Sequence, residues 1–285
     1  MSALRQAGRI GGQPVDSAAS RGKFSGLAAG RRQAENQRRG GLTFPQIRTA
    51  GLDGMLVSFA DALSEPANRA AIAFRSAVEA ARLEGIQETA ASLASVYVRF
   101  DSASLPHGRL TAHLQEMLAA KDWYKVPLPP GRRFWRVPTV YGTELAPQLG
   151  EAADLAGMSE GQAIASLSAA RVRVLTIGFA PGQPYLGPLG EEWNIPRQTE
   201  LTPKVPSGAL TLAISQFVLF AASAPTGWRH VGQTGLQLFQ PRSADPFALR
   251  PGDEMQFFPV AKAEFARLQD NDPACGGAIA EEIGV

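Results

Sequence analysis

Hydrophobic and polar positions alternate most clearly between Arg171 and Ile177, where Val172, Val174 and Thr176 fall on one side and Arg171, Arg173 and Leu175 on the other. A period of two is that of a β-strand, and Gly178 ends the run in the loop GFAPGQPYL. Pro181 and Pro184 fix φ and lack an N–H, while Gly178 and Gly182 reach conformations closed to other residues. Such a loop serves as a plain tight turn, or aims backbone N–H groups at a bound anion or carbonyl.

Earlier in the chain the period changes repeatedly. TFPQIRTAG and GMLVSFAD read as two short strands, with Met55, Val57 and Phe59 on one face. Ser64, Glu65 and Pro66 form a helix start, and Ala71, Phe74, Val78 and Ala81 mark the buried stripe of a helix that runs to about Leu83, with Gly85 as its stop. Val96, Val98 and Phe100 read as a strand, and Leu110, Leu114, Met117 and Leu118 as a second amphipathic helix. Residues 42–124 therefore read as a small α+β domain with its helices on one face of a sheet, and the Pro-rich stretch 125–133 as a linker.

Residues 134–262 read as a second, mostly-β domain. FWRVPTVYG supplies a strand, a helix is expected from Glu144 to Ala156, and Ser159 with Gln162 forms a capping box for a short helix ending near Leu167. Strands separated by Pro/Gly turns then follow one another, a pattern that argues for a closed or nearly closed barrel. The tail, residues 263–285, has no periodic pattern and is expected to be mobile.

Composition changes this picture in two respects. A hydrophobic fraction of 45% and a charged fraction of 19% are ordinary for a globular protein, and no uninterrupted apolar run is long enough to span a bilayer, so no membrane partner is expected. Cys275 is the only cysteine, which excludes an internal disulfide, makes no case for a zinc site, and fits a reducing cytoplasm. The net charge of +2 conceals a basic head: residues 1–41 carry eight basic side chains against Asp16 and Glu35. That head reads either as a nucleic-acid or acidic-partner contact or as an extension too poor in apolar residues to order itself; the second reading is preferred.

Several blocks resemble a known family: GFAPGQPYLGPL (178–189), IPRQ (195–198), TPKVPSG (202–208), Gln216, PTGW (225–228), VGQTGLQLF (231–239) and LRPGDEMQF (249–257). In order and spacing they are similar to the family of allophanate hydrolase subunit 1, the B subunit of 5-oxoprolinase, the kinase inhibitor KipI and the matching part of urea carboxylase. The resemblance implies an α+β N-terminal domain followed by a cyclophilin-like barrel. It also implies half of an active site, completed by a companion subunit 2 protein and acting on a small amide or urea. On that basis the substrate-binding candidates include Gly178, Phe179, Pro181, Gly182, Tyr185 and Leu186 in the first block, whose turn would offer backbone donors to a carbonyl oxygen. Arg197 is the candidate for a carboxylate or phosphate and Gln216 for an amide. Pro206, Ser207, Gly208, Gly227, Trp228, Gly232 and Thr234 complete the set; catalytic residues are not identified. ATP is expected only in the complex, since the chain has no Walker A motif, and biotin only on a separate carrier protein.

The chain also departs from the family pattern. Leu167 stands where the family often has histidine, Phe217 and Val218 replace small residues in ISQFVLFA (214–221), and Gln233 stands where arginine is common. His230 can restore part of the lost polarity, although a strand histidine beside Trp228 also serves packing. These substitutions keep open a second expectation, a KipI-like regulator that inhibits a histidine kinase.

Overall fold

The computed structural model describes residues 43–284, so the expectation for the basic head lies outside the described residues. The chain begins here with β1 (Gln46–Thr49), β2 (Gly54–Ser58), α1 (Glu65–Ala81), β3 (Ile86–Ser92), β4 (Ser95–Phe100) and α2 (His107–Ala119). The strands form an antiparallel sheet in the order β1-β2-β4-β3. Met55, Val57, Phe59, Val96, Val98 and Phe100 face the helices as their alternation predicts, and meet Phe74, Val78, Leu110 and Leu114 in one apolar core.

Ser64 caps α1 with extended backbone and accepts from the Ala67 N–H. The helix stops earlier than expected, because Arg82 itself takes the left-handed conformation at φ 47°, and Ala81 is exposed. Gly85, at φ 94°, serves the turn into β3 instead. β3 has no counterpart in the sequence reading: an edge strand with only Ala91 buried shows no alternation of apolar side chains.

The second sheet contains β5 (Arg133–Tyr141), β6 (Val172–Ile177), β7 (Pro184–Gly187), β9 (Ala209–Ala213), β10 (Gln216–Leu219), β12 (Arg229–Thr234), β13 (Glu254–Pro259) and β14 (Ile279–Glu282). Between them lie α3 (Leu149–Leu155), α4 (Glu160–Ala169), the short pair β8 (Thr202–Val205) and β11 (Ala224–Thr226), and α5 (Lys262–Asn271). The order β12-β9-β10-β7-β6-β13-β5 closes on itself because Thr139, Val140 and Tyr141 of β5 pair with β12. A closed seven-stranded barrel thus follows the α+β part, as the sequence predicts.

β5 is long enough to serve both ends of the barrel. Its first half, Arg133 to Arg136, pairs with β14 on the edge that β12 occupies further along. The expected tail, residues 263–285, is accordingly not structureless over its described part, 263–284: α5 buries Phe265, and β14 pairs through its backbone while all four of its side chains stay exposed, so its side chains carry no sign of it. α3 begins at Leu149 rather than near Glu144, because Gly142 and Thr143 turn the chain at positive φ. The capping box of α4 forms as read, with Ser159 Oγ accepting from Gln162 N and Gln162 Oε1 accepting from Ser159 N.

Val172 and Val174 enter the barrel core, but a register shift after Val174 turns Thr176 out of it. Thr176 Oγ1 donates to the Ala91 carbonyl of β3, and Asn68 of α1 donates to both the Leu93 and Leu175 carbonyls, so these polar bonds tie the first sheet to the barrel. Pro45–Val285 accordingly forms one compact unit. Among the described residues, no helix is long and apolar enough to cross a membrane.

Candidate functional site

Cross-strand register places Tyr185 of β7 beside Val218 of β10, Val218 beside Thr211 of β9, and Thr211 beside His230 of β12. The alternate positions, Leu186, Phe217, Leu219, Leu210, Leu212 and Val231, point into the barrel core. The row from Tyr185 to His230 therefore lies on the outer wall, because successive strand residues face opposite sides. Val205, Ala209, Ala213, Phe220 and Trp228 pack on that wall as a separate apolar cluster. Trp228 meets Tyr185 edge to face at 6.2 Å, and the exposed Arg197 guanidinium lies 5.1 Å from the Trp228 ring centre. The structure thus brings together Tyr185, Arg197 and Trp228, which are far apart in sequence.

At the other end of the row sit two polar atoms without partners. His230 is 5% exposed and its Nε2 bonds to nothing; Gln233 is 8% exposed and its Oε1 is likewise unpaired. The Gln233 amide cannot simply be turned over, since its Nε2 donates to the Ser207 and Thr234 carbonyls. Buried polar groups are nearly always paired, so these two neighbouring atoms, both enclosed by the chain, leave hydrogen-bonding capacity unused at this end of the wall, although the Gln233 side chain and the Gly232 backbone still act on the imidazole. Nearby, Gln148 donates to Gln198 at 2.7 Å, Gln198 donates to Thr202 and to the Trp228 carbonyl, and Gln148 accepts from the His230 backbone. This ladder fixes the β12 backbone next to the imidazole. Gln198 lies inside a recognisable block, but nothing in the local sequence marks Gln148 or Thr211.

Burial pushes the His230 imidazole below its ordinary value of 6.5, against an upward pull from the Gly232 backbone and the Gln233 side chain. The ring is therefore neutral at pH 7 and able to accept a proton. Because its folded pKa is depressed, the unfolded chain takes up this proton first as pH falls. Stability from this site is complete above about pH 6.5 and declines as pH drops toward the folded value. His230→Asn is expected to flatten the fall in urea midpoint between pH 7.5 and 5. An unchanged slope would remove His230 from the titrating groups.

The remaining candidates are placed elsewhere. In the Gly178 loop, Gly178 N donates to the Gln183 carbonyl and Gln183 N to the Ala180 carbonyl, so these N–H groups are spent within the turn. Gly182, at φ 76°, lies where an added Cβ would meet the Leu238 carbonyl at 2.7 Å, and Phe179, at φ 72°, is 78% exposed at the tip beside the exposed Pro181. Leu186 is core. The Ser207 hydroxyl donates to Ala221 O, next to the exposed Pro206, and Thr234 Oγ1 donates to Gly208 O. Gly227 accepts from Gln198 N through its carbonyl, and Gly232 follows the register shift of β12 against β9, where an added Cβ would meet Thr139 Cγ2 at 2.8 Å. Gln216 stands apart, in a pocket beside α1. Of the family departures, Leu167 and Phe217 are fully buried in the barrel core, Val218 packs in the outer-wall cluster, and Gln233 is buried with its Oε1 unpaired, near the equally enclosed His230 Nε2.

Comparison with known proteins gives a consistent result. The profile of the family described as carboxyltransferase domain, subdomain C and D, matches residues 45–249. The chain is 39% identical over 132 residues to the B subunit of 5-oxoprolinase from Escherichia coli O157:H7, covering 46% of this chain and 61% of that protein. It is 29% identical over 232 residues to the B subunit of 5-oxoprolinase from Bacillus subtilis strain 168, covering 77% and 95%. The chain thus spans about three fifths of the Escherichia coli relative and nearly all of the Bacillus subtilis one. The crystal structure of TTHA0988 aligns with a TM-score of 0.62 at 28% identity, over 76% of this chain and 40% of that one. Urea amidolyase from K. lactis aligns with a TM-score of 0.63 at 18% identity, over 83% and 16%, which is a likeness of fold.

Proposed function

Because the chain belongs to the family of carboxyltransferase domains, subdomains C and D, we propose that it is one subunit of a heteromeric enzyme of the 5-oxoprolinase or allophanate hydrolase type. The observation that carries this reading is the family match across residues 45–249, joined to near full-length similarity to a protein named as a subunit. The outer wall supplies chemistry suited to it. His230 Nε2 and Gln233 Oε1 are enclosed in the chain alone, so they serve as acceptors for a proton or an amide N–H only where association with the companion opens this end of the wall. Arg197, held over Trp228 and without a carboxylate partner among the described residues, offers a cation to a carboxylate at the rim. The companion subunit 2 protein is proposed to cover this wall and complete the site, with a small amide or urea as substrate in a reducing cytoplasm.

We place ATP on the companion or at a shared surface. The wide groove of about 630 Å³ between the first sheet and the barrel has Arg75 and Arg250 paired with Glu79 and Asp245, and Arg132 paired with Glu254, which does not fit a triphosphate. Biotin, where a carboxyl group is transferred, arrives on a separate carrier.

The test is co-expression of the full chain with the subunit 2 protein of the same genome, followed by assay of 5-oxoproline hydrolysis with ATP and of urea and allophanate turnover. Turnover is expected from the complex and from neither chain alone, with His230→Phe lowering kcat by about a hundredfold. A pure complex inert toward all three substrates would overturn the reading. Capture of a histidine kinase in place of the companion would put the regulatory reading in its stead.

A further inference from the structure

Phe179 stands at the tip of the loop between β6 and β7 and carries two costs at once. Its φ of 72° lies in the left-handed region, and its ring is 78% exposed. Of the six non-glycine residues with positive φ among the described residues, it is the only aromatic one. A single exposed apolar side chain is ordinary, and so is a left-handed turn residue when it is Gly or Asn. The combination is costly, since glycine would relieve the backbone and a polar residue would suit the water. The ring belongs to none of the apolar clusters of the described residues, so the folded chain itself gains little from it.

The loop nevertheless holds this ring firmly in place. Gly178 N donates to the Gln183 carbonyl at 3.0 Å and Gln183 N to the Ala180 carbonyl at 3.1 Å. Gln183 is 1% exposed, and its Oε1 accepts from Ala221 N at 3.4 Å. Gly182 is seated so closely that an added Cβ would lie 2.7 Å from the Leu238 carbonyl oxygen. A side chain presented on such a fixed loop loses little freedom on binding. From Ala221 the bonds continue to the outer wall: its carbonyl accepts from Ser207 Oγ, and the Ser207 carbonyl accepts from Gln233 Nε2. Segments 178–183, 206–208 and 221–225, which this network joins, contain no charged residue. An aromatic side chain within an uncharged patch is the composition of an interface centre, whereas rims carry charge.

We propose that Phe179 is the anchor by which this end of the barrel docks the companion subunit, its ring entering an apolar pocket on that partner. The assignment rests on the reading of the chain as one subunit of a heteromeric enzyme. The companion is the occupant because three hydrogen bonds join the loop to Gln233, on the wall that the companion covers in that reading. A polyanion gains nothing from an uncharged patch. A second copy, docked two-fold through the same loop, would set one protruding tip against another.

Titration of the full chain with the purified companion, followed by biolayer interferometry, tests the assignment with Phe179→Asn and Phe179→Leu. Asn suits the left-handed backbone and lacks the ring, whereas Leu keeps an apolar knob. Phe179→Asn is expected to weaken the complex about thirtyfold and Phe179→Leu less, as for a binding hot spot. The thermal midpoint of the isolated Phe179→Asn chain is expected to be unchanged or higher, which a ring that stabilises its own fold would not allow. A fall in that midpoint, or a complex within about threefold of wild-type affinity, would overturn the assignment. A wild-type chain that fails to bind the companion would overturn the subunit reading and the anchor together. A wild-type complex that Phe179→Asn leaves intact would overturn the anchor alone.

Discussion

Replacing Asp253 by alanine is expected to cost about 3 kcal/mol of stability, the lower end of the loss produced when one partner of a buried ion pair is removed. Asp253 is 1% exposed and holds three bonds: its Oδ1 accepts from Arg133 N, and its Oδ2 accepts from Arg133 Nη2 and Arg250 N. The carboxylate thereby ties the turn before β13 to the first residue of β5, the two strands that run parallel in the barrel. Val174 N also donates to the Asp253 carbonyl, so β6 depends on the same turn. Alanine would leave the Arg133 guanidinium with the Ala248 carbonyl as its remaining acceptor, its Nε being already without a partner. Arg133 is a quarter exposed, and the water it reaches keeps the cost from the upper end of the range. In a chain of this length that corresponds to a fall of roughly 6–12 °C in thermal midpoint, measured by circular dichroism. Asp253→Asn retains one acceptor but turns a donor toward Arg133 and is expected to fall between the two. A loss below about 1 kcal/mol for alanine would show that the turn is held by its backbone bonds alone.

A second large effect is expected at Gly208, and Gly51 provides its control. Both have φ of 78°, so an alanine at either meets the same left-handed penalty of about 1–2 kcal/mol. At Gly51 an added Cβ meets nothing within 4 Å, whereas at Gly208 it would lie 2.2 Å from the Thr234 carbonyl oxygen and 2.9 Å from Gln233 Nε2. That carbonyl cannot retreat freely: Thr234 N and Oγ1 both bond to Gly208 O, and Gln233 Nε2 bonds to Thr234 O. Gly208→Ala is therefore expected to cost about 3 kcal/mol or more, and Gly51→Ala no more than the conformational part. Denaturant unfolding of the two variants measures the difference directly. Equal losses would mean that the strand end around Thr234 yields without cost. Gly208→Ala also moves Gln233, so its effect on His230 should appear as a changed pH slope of stability.

Much of the framework was legible because burial imposes a period. Met55, Val57 and Phe59, the stripe through Phe74 and Val78, and Val172 with Val174 all lie where their spacing put them, since each face must cover an apolar core. Caps were legible for a similar reason: Ser64 and Ser159 satisfy helix N–H groups within a few residues of themselves. β14 and β3 were not, because edge strands are held by backbone bonds to which any side chain is compatible. Asp253 was visible within a recognisable block, but its partners Arg133 and Arg250 are joined to it only by the fold.

For the site the division is sharper. Residue types in their order determined the α+β part, the barrel and the family, and singled out Arg197, Trp228 and Gln216 as separate candidates. Tertiary structure decided that Arg197 and Trp228 share one outer wall with Tyr185, and that Gln216 belongs to a different pocket, beside Asn68. It also decided that the loop at Gly178 spends N–H groups on itself, while His230 and Gln233 keep unpaired atoms. The physical reason is that periodicity and capping are local, fixed by neighbours along the chain. Which polar atoms remain unpaired depends on contacts between β6, β7, β9, β10 and β12, segments that only closure of the barrel brings together.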